Sequence, residues 1–229
     1  MHRIACLAAT AVLLTACQPK PAAEPTTPAA TATTAPAASS ANNATTAVTI
    51  DKAAPPALSP PSFDCAKAQS EAETLVCNDA ELAALDRQLA KLWADTQARP
   101  NAPASETAKQ RGWVKGRDEC WKAEDKHRCV RESYQVRIVE LNLLRPDVTT
   151  PPAVSYDCGD QDSRLSAVYY NDFEPKAVVL TWAGDRAIAL QQPSASGTHY
   201  AVEGVDFSEH QGTATLDFFG TSLSCKPVK

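Results

Sequence analysis

The chain has 229 residues, a formal net charge of −5 and eight cysteines, and 44% of it is hydrophobic. The acidic balance argues against a nucleic-acid partner, and beyond the N-terminus no apolar run approaches the about 20 residues needed to span a bilayer. The remainder divides into a low-complexity tether and two domains of roughly 80 residues each, a size at which covalent staples are expected to supplement the core.

Met1-His2-Arg3 carries positive charge, and Ile4 to Ala16 is almost entirely apolar or small. That pattern predicts a secretory signal peptide over 1–16. Its end, Leu13-Leu14-Thr15-Ala16-Cys17, resembles the lipobox of bacterial lipoproteins. The resemblance implies that Cys17 is acylated and becomes the first residue of the mature chain. Two or three acyl chains hold a protein stably where one holds it weakly. Gln18 rather than Asp follows the cysteine, which in such lipoproteins favours the outer membrane, with the chain facing the periplasm.

Residues 17–62 are the lipidated cysteine and then mostly Ala, Pro and Thr. Such a segment buries too little apolar surface to offset its ordering entropy, so a disordered tether is expected. Cys6 leaves with the signal peptide. Six cysteines then remain in an oxidising compartment, Cys65, Cys77, Cys120, Cys129, Cys158 and Cys225, which implies three disulfides. Two lie in the second domain, so Cys158 is expected to pair with Cys225. In the first domain the local pairs Cys65–Cys77 and Cys120–Cys129 are favoured, with the crossed pairings left open. The spacings do not fit a zinc knuckle, and no metal or cofactor is expected.

The first domain, 63–147, is predicted to hold three helices. Leu82, Leu85, Leu89 and Leu92 form one helical face. Asn78 or Asp79 can cap it, and Pro100 ends it. A second helix is expected from about Ser105, as cap, through Trp113 to Trp121. A third carries Val130, Tyr134, Ile138 and Leu141 and stops before Pro146. Trp93, Trp113, Trp121 and Tyr134 are read as core. Asp86-Arg87 and Arg117-Asp118-Glu119 are read as a solvated face or helix-end ion pairs of little energetic weight.

These residues carry a resemblance. Phe63-Asp64-Cys65, Glu73-Thr74-Leu75-Val76-Cys77, Leu85-Asp86-Arg87, Gln110-Arg111-Gly112-Trp113, Arg117-Asp118-Glu119-Cys120, Cys129 and Tyr134 to Leu141 are similar to the N-terminal domain of the LprI-type lysozyme inhibitors.

Residues 153–229 change pattern. Short β-prone runs at 164–170, 176–182, 186–191, 199–203, 213–219 and 222–225 are punctuated by Asn171-Asp172, Gly184-Asp185 and Gly220. The expectation is a small antiparallel β-barrel, giving a multidomain α + β chain whose disulfide-stapled three-helix domain precedes the barrel. Tyr156-Asp157-Cys158, Ser196-Gly197-Thr198-His199-Tyr200, Gly212 to Leu216 and Leu223-Ser224-Cys225 resemble the MliC/PliC-type inhibitors of c-type lysozyme.

That resemblance implies c-type lysozyme as the partner. The Ser196 hydroxyl would donate to a catalytic carboxyl group without a charge of its own to desolvate. Gly197 would allow a sharp turn and close approach. Tyr200 would brace the loop from the barrel side, with Thr198 and His199 at the rim. Members of that family carry a lysine before a glycine in a second loop. Here His210-Gln211 precede Gly212, which implies weaker inhibition or a shifted target.

Ten acidic and five basic residues lie in 153–229, a balance that suits a basic partner. No nucleophile–base motif, phosphate loop or metal-ligand spacing is present, so no enzymatic activity is expected. The alternative reading is a non-inhibitory envelope adaptor with peptidoglycan contact through the helical domain.

Overall fold

The computed structural model describes residues 59–100, 102–159 and 164–228. The signal peptide, Cys17 and the tether as far as Ala57-Leu58 lie outside the described residues. Four tether residues are inside them, and they are docked. The Ser59 and Pro60 carbonyls accept from Arg87 Nη1, each at 2.8 Å, and the Ser62 N–H donates to Asp86 Oδ2. Disorder is expected from the sequence through Ser62, but Ser59 to Ser62 are ordered, because helix side chains supply these backbone groups with partners.

Among the described residues the helical part holds four α-helices rather than three. Between Cys65 and Cys77, a 3-10 turn at Cys65–Lys67 leads into α1, Glu71–Asn78. Ser70 and Glu73 start α1 with a reciprocal capping box, Ser70 Oγ accepting the Glu73 N–H at 3.1 Å. Helix α2, Ala80–Gln97, is capped by Asp79, whose Oδ1 accepts from the Leu82 N–H at 2.9 Å. Helix α3, Ala104–Asp118, has Pro103 at its cap position and no side-chain cap, so Ser105 lies inside the helix. Helix α4, Lys126–Leu143, is capped by Asp125. Cys65–Cys77 staples the first turn to α1, and Cys120–Cys129 staples the 3-10 turn after α3 to α4.

The leucine face of α2 packs as its spacing requires, with Leu82 and Leu89 buried against Val130, Tyr134, Ile138 and Leu141 of α4. Two expectations fail here. Trp121 is 55% exposed. Helix α3 ends at Asp118, and the following 3-10 turn, Glu119–Lys122, turns Cys120 inward and Trp121 outward. Asp86 and Arg117 are buried rather than solvated. The Tyr134 hydroxyl joins them, accepting from Arg117 Nη1 and donating to Asp86 Oδ1, both at 3.0 Å.

Burial pushes the Tyr134 hydroxyl well above the ordinary phenol range, so it keeps its proton for Asp86. Arg117 also bonds Asp118 and lies over the rings of Trp113 and Tyr134. A planar, weakly hydrated guanidinium tolerates this burial when its donors are matched. A second buried pair joins Glu106 of α3 to Arg137 of α4 at 3.3 Å, with side-chain exposures of 2% and 1%.

The remaining strands form a closed antiparallel barrel in sequence order: β1 Val154–Asp157, β2 Leu165–Tyr170, β3 Ala177–Trp182, β4 Asp185–Gln191, β5 Thr198–Val202, β6 Val205–His210, β7 Thr213–Phe218 and β8 Thr221–Pro227. Strand β6 falls between the runs expected from the sequence. Its alternation of buried Val205 and Phe207 with exposed Asp206 is a strand signal in its own right. Three hairpins close through two-residue turns with positive φ at both positions, Ala183-Gly184, Gln211-Gly212 and Phe219-Gly220. Such turns match the twist of the paired strands. Cys158–Cys225 ties the segment after β1 to β8, enclosing a loop of separation 67, worth about 4 kcal/mol in the chain-entropy model.

Strand β3 begins Ala177-Val178-Val179-Leu180, all buried. Val178 and Leu180 fill the barrel, while Ala177 and Val179 face outward. With Tyr170, Ile188 and Leu190 they form a second apolar surface covered by Val136, Val139 and Leu143 of α4. Helix α4 is thus apolar on two sides, one toward α2 and one toward the barrel. Polar ties flank this contact: the Glu203 N–H donates to Glu132 Oε2 at 3.0 Å, and Gln88 Nε2 donates to the Glu174 carbonyl.

Candidate functional site

In a meander, alternate connections emerge at the same end of the barrel. The β2–β3 connection, the β4–β5 loop (192–197) and the β6–β7 turn (211–212) share one end, and side chains tie them together. Ser196 is exposed on the β4–β5 loop, and its Oγ lies 3.4 Å from His210 Nδ1 at the end of β6. Ser194 Oγ donates to the Ser196 carbonyl at 2.7 Å, which closes the loop on itself. Gln211 and Gly212 are exposed at the neighbouring turn, with φ of 49° and 75°.

Gly197 has φ of 73°, and a Cβ built there would lie 2.1 Å from the Glu209 carbonyl oxygen. No side chain larger than hydrogen fits without moving β6 or the loop. The glycine therefore sets how closely the Ser196 loop approaches the Gln211 turn.

Beneath the loop, side chains follow the two-residue period of β5. Tyr200 is 1% exposed and points into the barrel, where its hydroxyl donates to Asn171 Oδ1 at 3.2 Å. Its ring meets that of Tyr169 edge-on, with centroids 5.6 Å apart. Burial raises the Tyr200 phenol above its ordinary range.

Thr198 is on the same inward face, and its buried Oγ1 has no protein partner among the described residues. His199 faces outward and pairs with Asp206 at 3.0 Å. Ser196, His210 and Gln211 thus present exposed polar atoms at this end, while Thr198 and Tyr200 lie below them.

Sequence reasoning missed three residues here. Glu209 is the cross-strand partner of Thr198 and points inward, two residues beyond buried Phe207. Its Oε2 accepts from the Tyr156 hydroxyl at 3.1 Å and the Tyr169 hydroxyl at 3.3 Å, and the two hydroxyls are 2.8 Å apart. Burial raises both phenols, Tyr156 to about 12 and Tyr169 further, so both remain donors. The available signal was a glutamate at the core parity of β6, opposite tyrosines at the core parity of β1 and β2.

The described residues contain no group of three His, Cys, Asp or Glu side chains able to hold a metal ion. No described helix is long and apolar enough to cross a membrane.

Residues 156–224 match the family model of membrane-bound lysozyme-inhibitor of c-type lysozyme, MliC. The match spans the barrel from β1 to β8 and includes both loops of the candidate site. Over 165 residues, 72% of this chain and 83% of the relative, the sequence is 39% identical to lipoprotein LprI of Mycobacterium bovis and of two strains of Mycobacterium tuberculosis. No solved structure matches the chain significantly. With that identity over most of both sequences, the chain belongs to the LprI lipoprotein family and carries an MliC domain in its C-terminal region.

Proposed function

We propose that this lipoprotein inhibits c-type lysozyme by placing the Ser196-Gly197 loop in the catalytic cleft, thereby protecting peptidoglycan. One observation carries the reading. Ser196 is an exposed hydroxyl on a loop already held in place, because Gly197 sits directly over the Glu209 carbonyl. A preordered loop loses less entropy on binding.

C-type lysozymes cleave with two carboxyl groups in a cleft. Ser196 would donate to one of them. Gln211 on the adjacent turn would donate to the other as a neutral amide, in the place where MliC relatives carry a lysine. Gly197 and Tyr200 hold the loop. The acidic excess of the barrel steers it toward a basic enzyme. Lipid on Cys17 and sorting to the periplasmic face of the outer membrane would place the site beside the wall. The helical part, with exposed Trp121, is available for contact with peptidoglycan. The molecule acts by binding rather than by turnover.

The test is lysozyme activity against increasing full-length mature chain. Saturable inhibition with a defined stoichiometry is the expected result. Undiminished activity at large molar excess would overturn the reading and leave the envelope-adaptor function.

A further inference from the structure

Glu209 touches both loops of the candidate site and the far wall of the barrel. Its backbone carbonyl lies under Gly197, where a Cβ would approach to 2.1 Å. Its side chain crosses the barrel mouth to Tyr156 of β1 and Tyr169 of β2. The next residues are His210, which meets Ser196, and Gln211, which forms the adjoining turn. The C-terminal end of β6 is thus fixed from inside at the point where it supports one loop and becomes the other.

We propose that Glu209, clamped by the Tyr156 and Tyr169 hydroxyls, is the positioning residue that sets the separation of Ser196 and Gln211. The proposal rests on the inhibitory reading of this end of the barrel. Glu209 itself makes no contact with the enzyme.

A carboxylate suits this post for a structural reason. It is an acceptor with no donor of its own, and both contacts fall on Oε2. The two phenols bring one hydrogen each, so one donates to Glu209 while the other donates either to Glu209 or to the neighbouring hydroxyl 2.8 Å away, and the charged acceptor strengthens the bonds it receives. Tyr169 in turn rests its ring on Tyr200, which extends the brace to the strand that follows the Ser196 loop. Loss of the carboxylate should free the end of β6 and both loops together, while the far side of the barrel keeps its packing.

The experiment compares full-length wild type with Glu209→Ala, Glu209→Gln and the double variant Tyr156→Phe/Tyr169→Phe. Two readouts are taken: amide hydrogen exchange across 192–213, with β3 as the internal control, and inhibition of c-type lysozyme. Glu209→Ala is expected to exchange faster in both loops, with β3 unchanged, and to weaken inhibition about tenfold through lost preorganisation. The double variant, which leaves the carboxylate in place, is expected to reproduce both effects. Glu209→Gln, which keeps an acceptor oxygen, is expected to restore most of the loop protection.

Unchanged loop exchange in both Glu209→Ala and the double variant would overturn the proposal, whatever the inhibition shows. A Glu209→Ala chain that fails to fold, beside a double variant with native loop exchange, would also overturn it. If wild type does not inhibit lysozyme while the exchange pattern is as expected, the inhibitory reading fails and the clamp stands as a loop-positioning device.

Discussion

Ser196 Oγ stands 3.4 Å from His210 Nδ1, across two loops that are 14 residues apart in sequence. One hydroxyl hydrogen is available, and it points either to the imidazole or to an incoming carboxyl group. A ring nitrogen that carries its own proton donates to Ser196 and leaves that hydrogen free. Ser196→Ala is therefore expected to weaken lysozyme inhibition by about tenfold or more, the scale of one hydrogen bond to a charged group. His210→Phe removes the competing partner of that hydroxyl and is expected to retain inhibition. A loss as large as that of Ser196→Ala would show that the imidazole itself is needed at the contact.

Gln211 adopts φ of 49° in an exposed turn. Lysine at this position bears the same backbone cost, so Gln211→Lys isolates the effect of charge. Stronger inhibition by about tenfold is expected, in line with a charge-assisted hydrogen bond. An inhibition constant equal to that of wild type would remove Gln211 from the contact surface.

Gly197→Ala combines a positive φ with a Cβ 2.1 Å from the Glu209 carbonyl. A destabilisation of more than about 1 kcal/mol is expected, together with loss of inhibition as the loop lifts from β6. Denaturant unfolding and the inhibition assay, run on the same sample, check both.

Asp79 caps α2 and ties the acid stability of the helical part to one carboxyl group. The Leu82 amide, and His127 beside it, hold that carboxyl below the usual carboxylate range. A depressed value means that the contribution is present above the unfolded-state range and is lost as pH falls through the folded-state value. Asp79→Ala is expected to cost about 1 kcal/mol at neutral pH, and the gap to wild type should narrow under acid. A gap that widens on acidification would contradict this assignment.

How much of this was legible in the sequence depends on whether neighbours along the chain or across the fold decide a residue's position. The leucine stripe of α2, the Asp79 cap and the three disulfides rest on local spacing and cysteine count, and the structure has them where expected. The strand runs were legible for the same reason, and β6 was there to be read from its strict alternation. Trp121 and Arg117 were not legible. One faces solvent because α3 stops three residues before it. The other is buried because Tyr134 of α4 arrives from elsewhere in the fold. The apolar run Ala177 to Leu180 hinted that β3 is covered on both faces, but only the fold shows that α4 supplies the cover. At the candidate site, Ser196 and Gly197 stood out by motif, whereas Glu209 became visible only once Tyr156 and Tyr169 faced it across the barrel.

The cover has a consequence for dissecting the chain. Without the helices, the segment 153–229 would expose Tyr170, Val179, Ile188 and Leu190 as one apolar patch. Self-association of that fragment, read by light scattering, is expected. A monodisperse, monomeric fragment would show that the α4 contact is dispensable.

The most direct measurement is competition for the cleft. Full-length chain is titrated into c-type lysozyme by calorimetry, with and without a saturating soluble N-acetylglucosamine oligomer that fills the cleft, and Ser196→Ala is run alongside. Binding that the oligomer abolishes and Ser196→Ala weakens would place the loop in the cleft. Binding that persists unchanged beside the bound oligomer would mean that the chain holds lysozyme elsewhere, and the loop-insertion mechanism would fall.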